Sequence, residues 1–159
     1  MDYKLNAPAP TVLELLTTPK WLEARCIAMG EISASVKARK KADQITITMK
    51  RRVRRELPGM LAKVLSPESD IVLEEIWSVG DKGQATGSMT VELVGQPVRI
   101  SAEFSLSVAG KGCTYRITHH AKSSVPFLGG SIEKFAQKQS EEACAQELDY
   151  LADFLKQAR

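Results

Sequence analysis

Residues 125–159 read VPFLGGSIEKFAQKQSEEACAQELDYLADFLKQAR, a turn that opens onto one long amphipathic segment. At a helical step of about 100° per residue, Ile132, Phe135, Ala136, Ala143, Cys144, Leu148, Tyr150, Leu151, Phe154 and Leu155 fall within one broad apolar arc. Lys134, Lys138, Glu141, Glu142, Asp149, Asp153 and Lys156 lie opposite. Gly129 and Gly130 free the backbone before the helix, and Ser131 has the chemistry of an N-cap, with Glu133 favoured by the helix dipole. The spacing predicts a helix from about Ser131 to the end of the chain.

Upstream of that helix the apolar period is two. Val98, Ile100, Ala102, Phe104, Leu106 and Val108 share one face, opposite Arg99, Ser101, Glu103, Ser105 and Ser107. Comparable strands are expected over 71–79, 87–94 and 113–123, joined by Gly80-Asp81-Lys82-Gly83, Gly95-Gln96-Pro97 and Ala109-Gly110-Lys111-Gly112. A hairpin precedes them. Ile32, Ala34, Val36 and Ala38, then Ile45, Ile47, Met49 and Val53, alternate with polar and basic residues. Leu57-Pro58-Gly59 ends the hairpin, and Met60, Leu61, Val64 and Leu65 mark a short helix stopped by Ser66-Pro67. At the start of the chain a short strand is followed by two small helices interrupted at Thr17-Thr18-Pro19.

This order is α+β: a curved antiparallel sheet of about seven strands wrapped around a long C-terminal helix, with two short helices after strand 1. A chain of 159 residues fits a single domain spanning 1–159. A strongly twisted sheet cannot lie flat on one helix, so a cavity on the order of a few hundred Å³ is expected between them.

The arrangement resembles the helix-grip fold of the START and polyketide-cyclase-like superfamily, also called SRPBCC, over essentially the whole chain. More narrowly, Leu57-Pro58, Trp77 within Glu74-Glu75-Ile76-Trp77, Gly95-Gln96-Pro97-Val98 and Val125 to Glu133 are similar to a bacterial family of uncharacterised domains in that superfamily. The resemblance implies a cavity for a hydrophobic or amphipathic, lipid-like small molecule. It transfers an architecture and no catalytic residue.

Inward phase, or position at the mouth, selects Leu61, Val64, Trp77, Met89, Val91, Ile100, Phe104, Tyr115, Ile117, His119, Phe127, Phe135 and Gln139 as candidate ligand contacts. His119 and His120 are the only histidines, and adjacent strand positions face opposite ways, so they cannot share a metal ion. His119 takes the inward phase of Tyr115 and Ile117. An alternative is a cyclase- or dehydratase-type enzyme using His119 with Tyr115 or Glu75. The phase of Glu75 is open, because both faces of 71–79 are apolar.

No phosphate loop, dinucleotide fingerprint or nucleophile elbow is present, and no cofactor or metal is implied. Cys26, Cys113 and Cys144 are odd in number and widely spaced, which favours free thiols in a reducing cytoplasm. The first ten residues lack the pattern of a secretory signal.

The net charge of +3 hides an asymmetry: residues 1–60 carry twelve basic and six acidic side chains, the remainder ten and thirteen. Lys37, Arg39, Lys50, Arg52 and Arg54 share the outward phase of the hairpin. A further alternative is therefore a membrane- or partner-binding module that meets an anionic surface through residues 37–55. The scarcity of aromatic residues on that face argues against nucleic acid. Sequence alone does not set the oligomeric state.

Overall fold

The computed structural model describes residues 1–158. The elements run β1 (Asp2–Leu5), α1 (Ala9–Leu16), α2 (Pro19–Ala28), β2 (Ser33–Lys41), β3 (Gln44–Arg54), β4 (Glu68–Val79), β5 (Ala85–Leu93), β6 (Val98–Ala109), β7 (Gly112–Ser123) and α3 (Gly129–Gln157). All seven strands form one antiparallel sheet in the order β1-β7-β6-β5-β4-β3-β2, and α3 lies across its concave face. This is the helix-grip architecture expected from the alternation of periods.

Both proline-led helices start where the sequence permits. Pro10 and Pro19 sit in the first turns of α1 and α2, where a missing N–H costs nothing. Helix α2 also closes an edge, because Glu23 accepts a hydrogen bond from the Val36 N–H of β2 at 3.1 Å. Trp21 on α2 packs edge-on against Phe154 and tilted against Tyr150, which fixes α2 beside the end of α3.

Cross-strand registers align the inward residues in rows. Glu75 pairs with Ile47 and Met89, Met89 with Ala102, and Ala102 with His119; the neighbouring row runs Ile45, Trp77, Gly87, Phe104, Ile117. Gly87 is where the Phe104 ring crosses the sheet. A Cβ on Gly87 would fall 2.4 Å from that ring and 2.5 Å from the Ile76 carbonyl.

Three local expectations are corrected. Helix α3 begins at Gly129 with Leu128 at its cap, so Ser131 lies inside the first turn and caps nothing. The chain makes this entry through Phe127, whose φ of 64° is a left-handed conformation, and through a Leu128 N–H to Pro126 carbonyl bond of 2.8 Å. The segment after Pro58 is a single 3-10 turn, Leu61–Lys63, anchored by hydrogen bonds to the Pro58 carbonyl, because Ser66-Pro67 leaves no room for more. Val108, assigned to the inward face, is exposed because β6 runs out beyond α3 there.

The core has two parts. One gathers Leu5, Val12, Leu16, Leu22, Ile47, Trp77, Phe104, Leu106, Leu148 and Leu151 beneath α1 and the C-terminal half of α3. The other gathers Val53, Leu61, Leu65, Ile71, Leu93, Val98, Ile100, Ile132 and Ala136 at the opposite end. Gln96, from the motif Gly95-Gln96-Pro97, ties that second end together. Its Oε1 accepts from the Ser66 N–H at 3.0 Å and its Nε2 donates to Ser69 Oγ at 2.7 Å, while Ser123 Oγ donates to the Pro97 carbonyl at 2.7 Å.

Candidate functional site

Between the two core clusters α3 presents small or polar residues to the sheet. Ile132 and Ala136 fill one end and Leu148 and Leu151 the other, but Ser140, Ala143, Cys144 and Glu147 occupy the turns between. The gap they leave is a cavity of about 70 Å³ bounded by β3 to β7, α2 and α3. It is smaller than the few hundred Å³ expected. The long side chains of Arg25, Met49, Arg51 and Met89 reach into the space that the curvature of the sheet opens.

The lining is divided by chemistry. Met49, Ile71, Leu73, Met89, Val91, Leu93 and Ile100 form an apolar floor. Arg25, Arg51, Arg55 and Glu147 form a charged wall, and Glu75, Tyr115 and His119 are set into the sheet. Glu31 and Glu147 hold Arg51: both guanidinium Nε and Nη2 donate to Glu31, and Nη2 also reaches Glu147 at 3.2 Å. Arg25 shares Glu147 at 3.4 Å and lies 5.7 Å over the Trp21 ring. The four side chains are between 6% and 18% exposed, so this is a buried network. Beyond it lies an outer recess of about 200 Å³ that shares Arg51, Arg55, Ala143 and Glu147 with the inner cavity. The ion-pair network therefore stands as a partition between the two spaces.

Protonation follows the surroundings. Burial pushes Glu75 above the ordinary carboxylate value, more than the hydrogen bond from Trp77 Nε1 at 2.9 Å lowers it. Burial, and then the neighbouring Glu75, raises Tyr115 well above the usual phenol value. Burial lowers His119 and pushes the Cys144 thiol up to about 12, so the imidazole is neutral and the thiol protonated at neutral pH. Glu147 is also subject to the burial penalty, but Arg25 and Arg51 outweigh it and hold the carboxyl below its usual range.

Of the thirteen candidate contacts, Met89, Val91, Ile100, Tyr115, Ile117 and His119 line the cavity. Trp77 and Phe104 do not, because their rings pack against each other in the core, tilted with centroids 4.5 Å apart, and Tyr115 stacks 6.0 Å from Phe104. Leu61, Val64 and Phe135 belong to the second core cluster, drawn there by the 3-10 turn and the start of α3. Gln139 borders the outer recess, and Phe127 is fully exposed because its left-handed backbone turns the ring away from the core.

Glu75 takes the inward phase of Leu73 and Trp77. His119 is 4% exposed, and its Nδ1 is buried without a hydrogen-bond partner, whereas His120 is exposed and pairs with Glu103 at 2.9 Å. Among the described residues no hydrogen bond links His119 to Tyr115 or Glu75. They share a cavity and not an acid–base pair.

Sequence reading missed Arg51, Arg55 and Glu147. The signal was present: 45, 47, 49, 51, 53 and 55 share one strand phase, and Glu147 sits four residues after Ala143 and three after Cys144, inside the apolar arc. Reading the basic residues of 37–55 as one outward surface passed over Arg51 and Arg55, which face inward.

The outward basic residues lie where expected. Lys37, Arg39, Lys50 and Arg54 are exposed, and the Arg39↔Thr46 and Lys37↔Thr48 registers place them on the convex face near the sheet edge. Lysines on an edge strand discourage pairing with another chain. Arg52 is already engaged, by Glu68 and Asp70 at 2.9 Å each. No helix among the described residues is long and apolar enough to cross a membrane.

Solved structures of known fold match the chain over nearly its whole length. A START superfamily protein from Mycobacterium smegmatis is 13% identical, with 98% of this chain and 96% of that one covered at a TM-score of 0.58. An uncharacterised protein from Rhizobium leguminosarum is 13% identical, with 99% and 92% covered at 0.56. Ara h 8.0201 is 11% identical, with 94% and 93% covered at 0.55. At such identity the likeness is one of fold. No curated protein matches the chain. The model of one family, described as a protein of unknown function (DUF2505), matches residues 1–155, and the chain belongs to that family, with the helix-grip fold of the START superfamily as its architecture.

Proposed function

We propose that the protein binds an amphipathic small molecule between its sheet and α3. The observation that carries this reading is the interruption of the core. Over Ser140 to Glu147 the helix offers no large apolar side chain to the sheet, and the space beneath is floored by methionines and aliphatics and walled by charge. A core built only for stability would close that seam with leucine, since each unfilled methyl-sized void costs about 1 kcal/mol.

Met89, Val91, Ile100 and Ile117 meet the apolar part of the ligand. Tyr115 and His119, whose Nδ1 has no hydrogen-bond partner among the described residues, offer polar atoms. A space of 70 Å³ takes only part of a typical ligand, so binding enlarges it. Met49 and Met89 have the unbranched, adaptable side chains suited to that movement, and the outer recess extends the space across the partition. The resemblance to a superfamily in which hydrophobic-ligand cavities recur supports the same reading.

Native mass spectrometry of protein purified from its own host tests this. The expected result is a small-molecule adduct that survives gentle ionisation and disappears on denaturation. A single species at the sequence mass under both conditions would count against a resident ligand.

A further inference from the structure

The charged wall of the cavity is unevenly satisfied. Glu31 and Glu147 are both committed to Arg51, and Glu147 also serves Arg25. Arg55 continues the inward phase of β3, and among the described residues it forms neither an ion pair nor a side-chain hydrogen bond. It borders three spaces at once: the inner cavity, the outer recess, and a second recess formed with Arg54, Glu56, Leu57, Ala62 and Pro67. Burial, and then the adjacent Arg51, lowers its affinity for its own proton, which Glu31 and Glu147, neither within ion-pair distance, only partly offset. Arg25 adds a buried Nε without a partner.

A cationic head group would face three guanidinium groups. A neutral one would leave Arg55 unmatched. An anion relieves the repulsion between Arg51 and Arg55 and gives Arg55 the fork-shaped partner that guanidinium binds best. Resting on the reading of the cavity as a ligand site, we propose that its ligand is an anionic amphiphile, with a carboxylate or phosphate monoester head at Arg55 and a hydrocarbon tail over Ile71, Leu93, Val91 and Ile100. The partition then has a second role. Arg51 and Glu147 close behind the tail while the head stays at the junction with solvent.

The test compares octanoate, octyl phosphate and 1-octanol, three probes with one tail and different heads, by isothermal titration calorimetry at pH 8. Wild-type protein is expected to bind one or both anions at least about tenfold more tightly than the alcohol, the scale of a hydrogen bond to a charged group. Arg55→Gln should weaken the preferred anion by roughly 10- to 100-fold while leaving 1-octanol unchanged. Arg39→Gln, which removes an exposed charge on the convex face away from these spaces, should change neither.

Whichever anion binds better identifies the head, and either supports the proposal. Equal affinity for the alcohol and both anions would overturn it while leaving the cavity as a neutral ligand site. So would an equal loss of all three probes in Arg55→Gln, or an equal effect of Arg39→Gln. Binding of none of the probes would remove the head-group assignment together with the ligand-site reading.

Discussion

Glu147→Ala is expected to destabilise the protein by about 3–5 kcal/mol, the cost of removing one partner from a buried ion pair. Arg25 and Arg51 approach the two oxygens of this carboxylate at 3.4 and 3.2 Å, and both guanidinium groups are more than nine-tenths buried. Without Glu147 they face each other with Glu31 alone for compensation. Against a total stability of about 5–15 kcal/mol such a loss would be a large fraction, visible as a lower urea midpoint at unchanged slope. Glu147→Gln, which keeps the shape of the side chain and removes its charge, should cost a comparable amount. A Glu147→Gln variant as stable as the wild type would mean that Glu147 matters for packing and not for charge.

The same carboxylate sets a pH dependence. Its folded pKa lies below the ordinary 4.5 because the two arginines outweigh burial. It therefore contributes stability that is present above the unfolded value and lost as pH falls through the folded one. The difference between wild type and Glu147→Ala should be largest at neutral pH and shrink below about pH 4.5. Glu75 acts in the opposite sense. Its raised pKa stabilises the fold below 4.5, and that contribution is lost as pH rises through the folded value. A difference that stayed constant from pH 7 to pH 3 would contradict the role given to Glu147.

Gly87→Ala is the second substitution with a large expected effect. Its new methyl would sit 2.4 Å from the Phe104 ring and 2.5 Å from the backbone oxygen of Ile76. A ring can shift, but the carbonyl belongs to the β4–β5 ladder and cannot yield without breaking its register. Overpacking of this kind costs about 1–3 kcal/mol, and the backbone contact puts this case towards the upper end. Phe104 packs tilted against Trp77 and stacks on Tyr115, so the displacement should also disturb the cavity through Tyr115. Gly87→Ala/Phe104→Leu should be more stable than Gly87→Ala alone if the ring is part of the obstacle. An unchanged unfolding midpoint in the single variant would show that the sheet accommodates the methyl there.

The architecture was legible in the sequence because both of its periods are strong. Val98 to Leu106 alternates without exception, and the apolar arc of α3 ends in Leu148, Leu151 and Leu155, so strand and helix declare themselves locally. The inward placement of His119 followed from the same alternation. Details set by backbone geometry were less legible. Phe127 is apolar and next to a glycine pair, which suits a mouth residue, yet its positive φ turns it to solvent.

The functional wall was the least legible part because it breaks the rule used to find the rest. Apolar residues mark a buried face, whereas Arg25, Arg51 and Glu147 are buried by virtue of one another. Residues from α2, β3 and α3 compensate across more than ninety positions of sequence, and no local pattern reports that. Cavity size was illegible for a similar reason: it depends on how far methionine and arginine side chains reach across the seam.

The chain has five methionines, and their distribution gives the most direct test of ligand binding in the seam. Met49 and Met89 line the inner cavity, Met29 borders the outer recess, and Met1 and Met60 are exposed elsewhere. With carbon-13 in the methionine methyl groups, a titration with octanoate reads all five positions in one NMR spectrum. The Met49 and Met89 methyl signals should move together and saturably, with Met29 following and Met1 and Met60 still. Stationary Met49 and Met89 signals, or shifts confined to Met1 and Met60, would contradict binding between the sheet and α3.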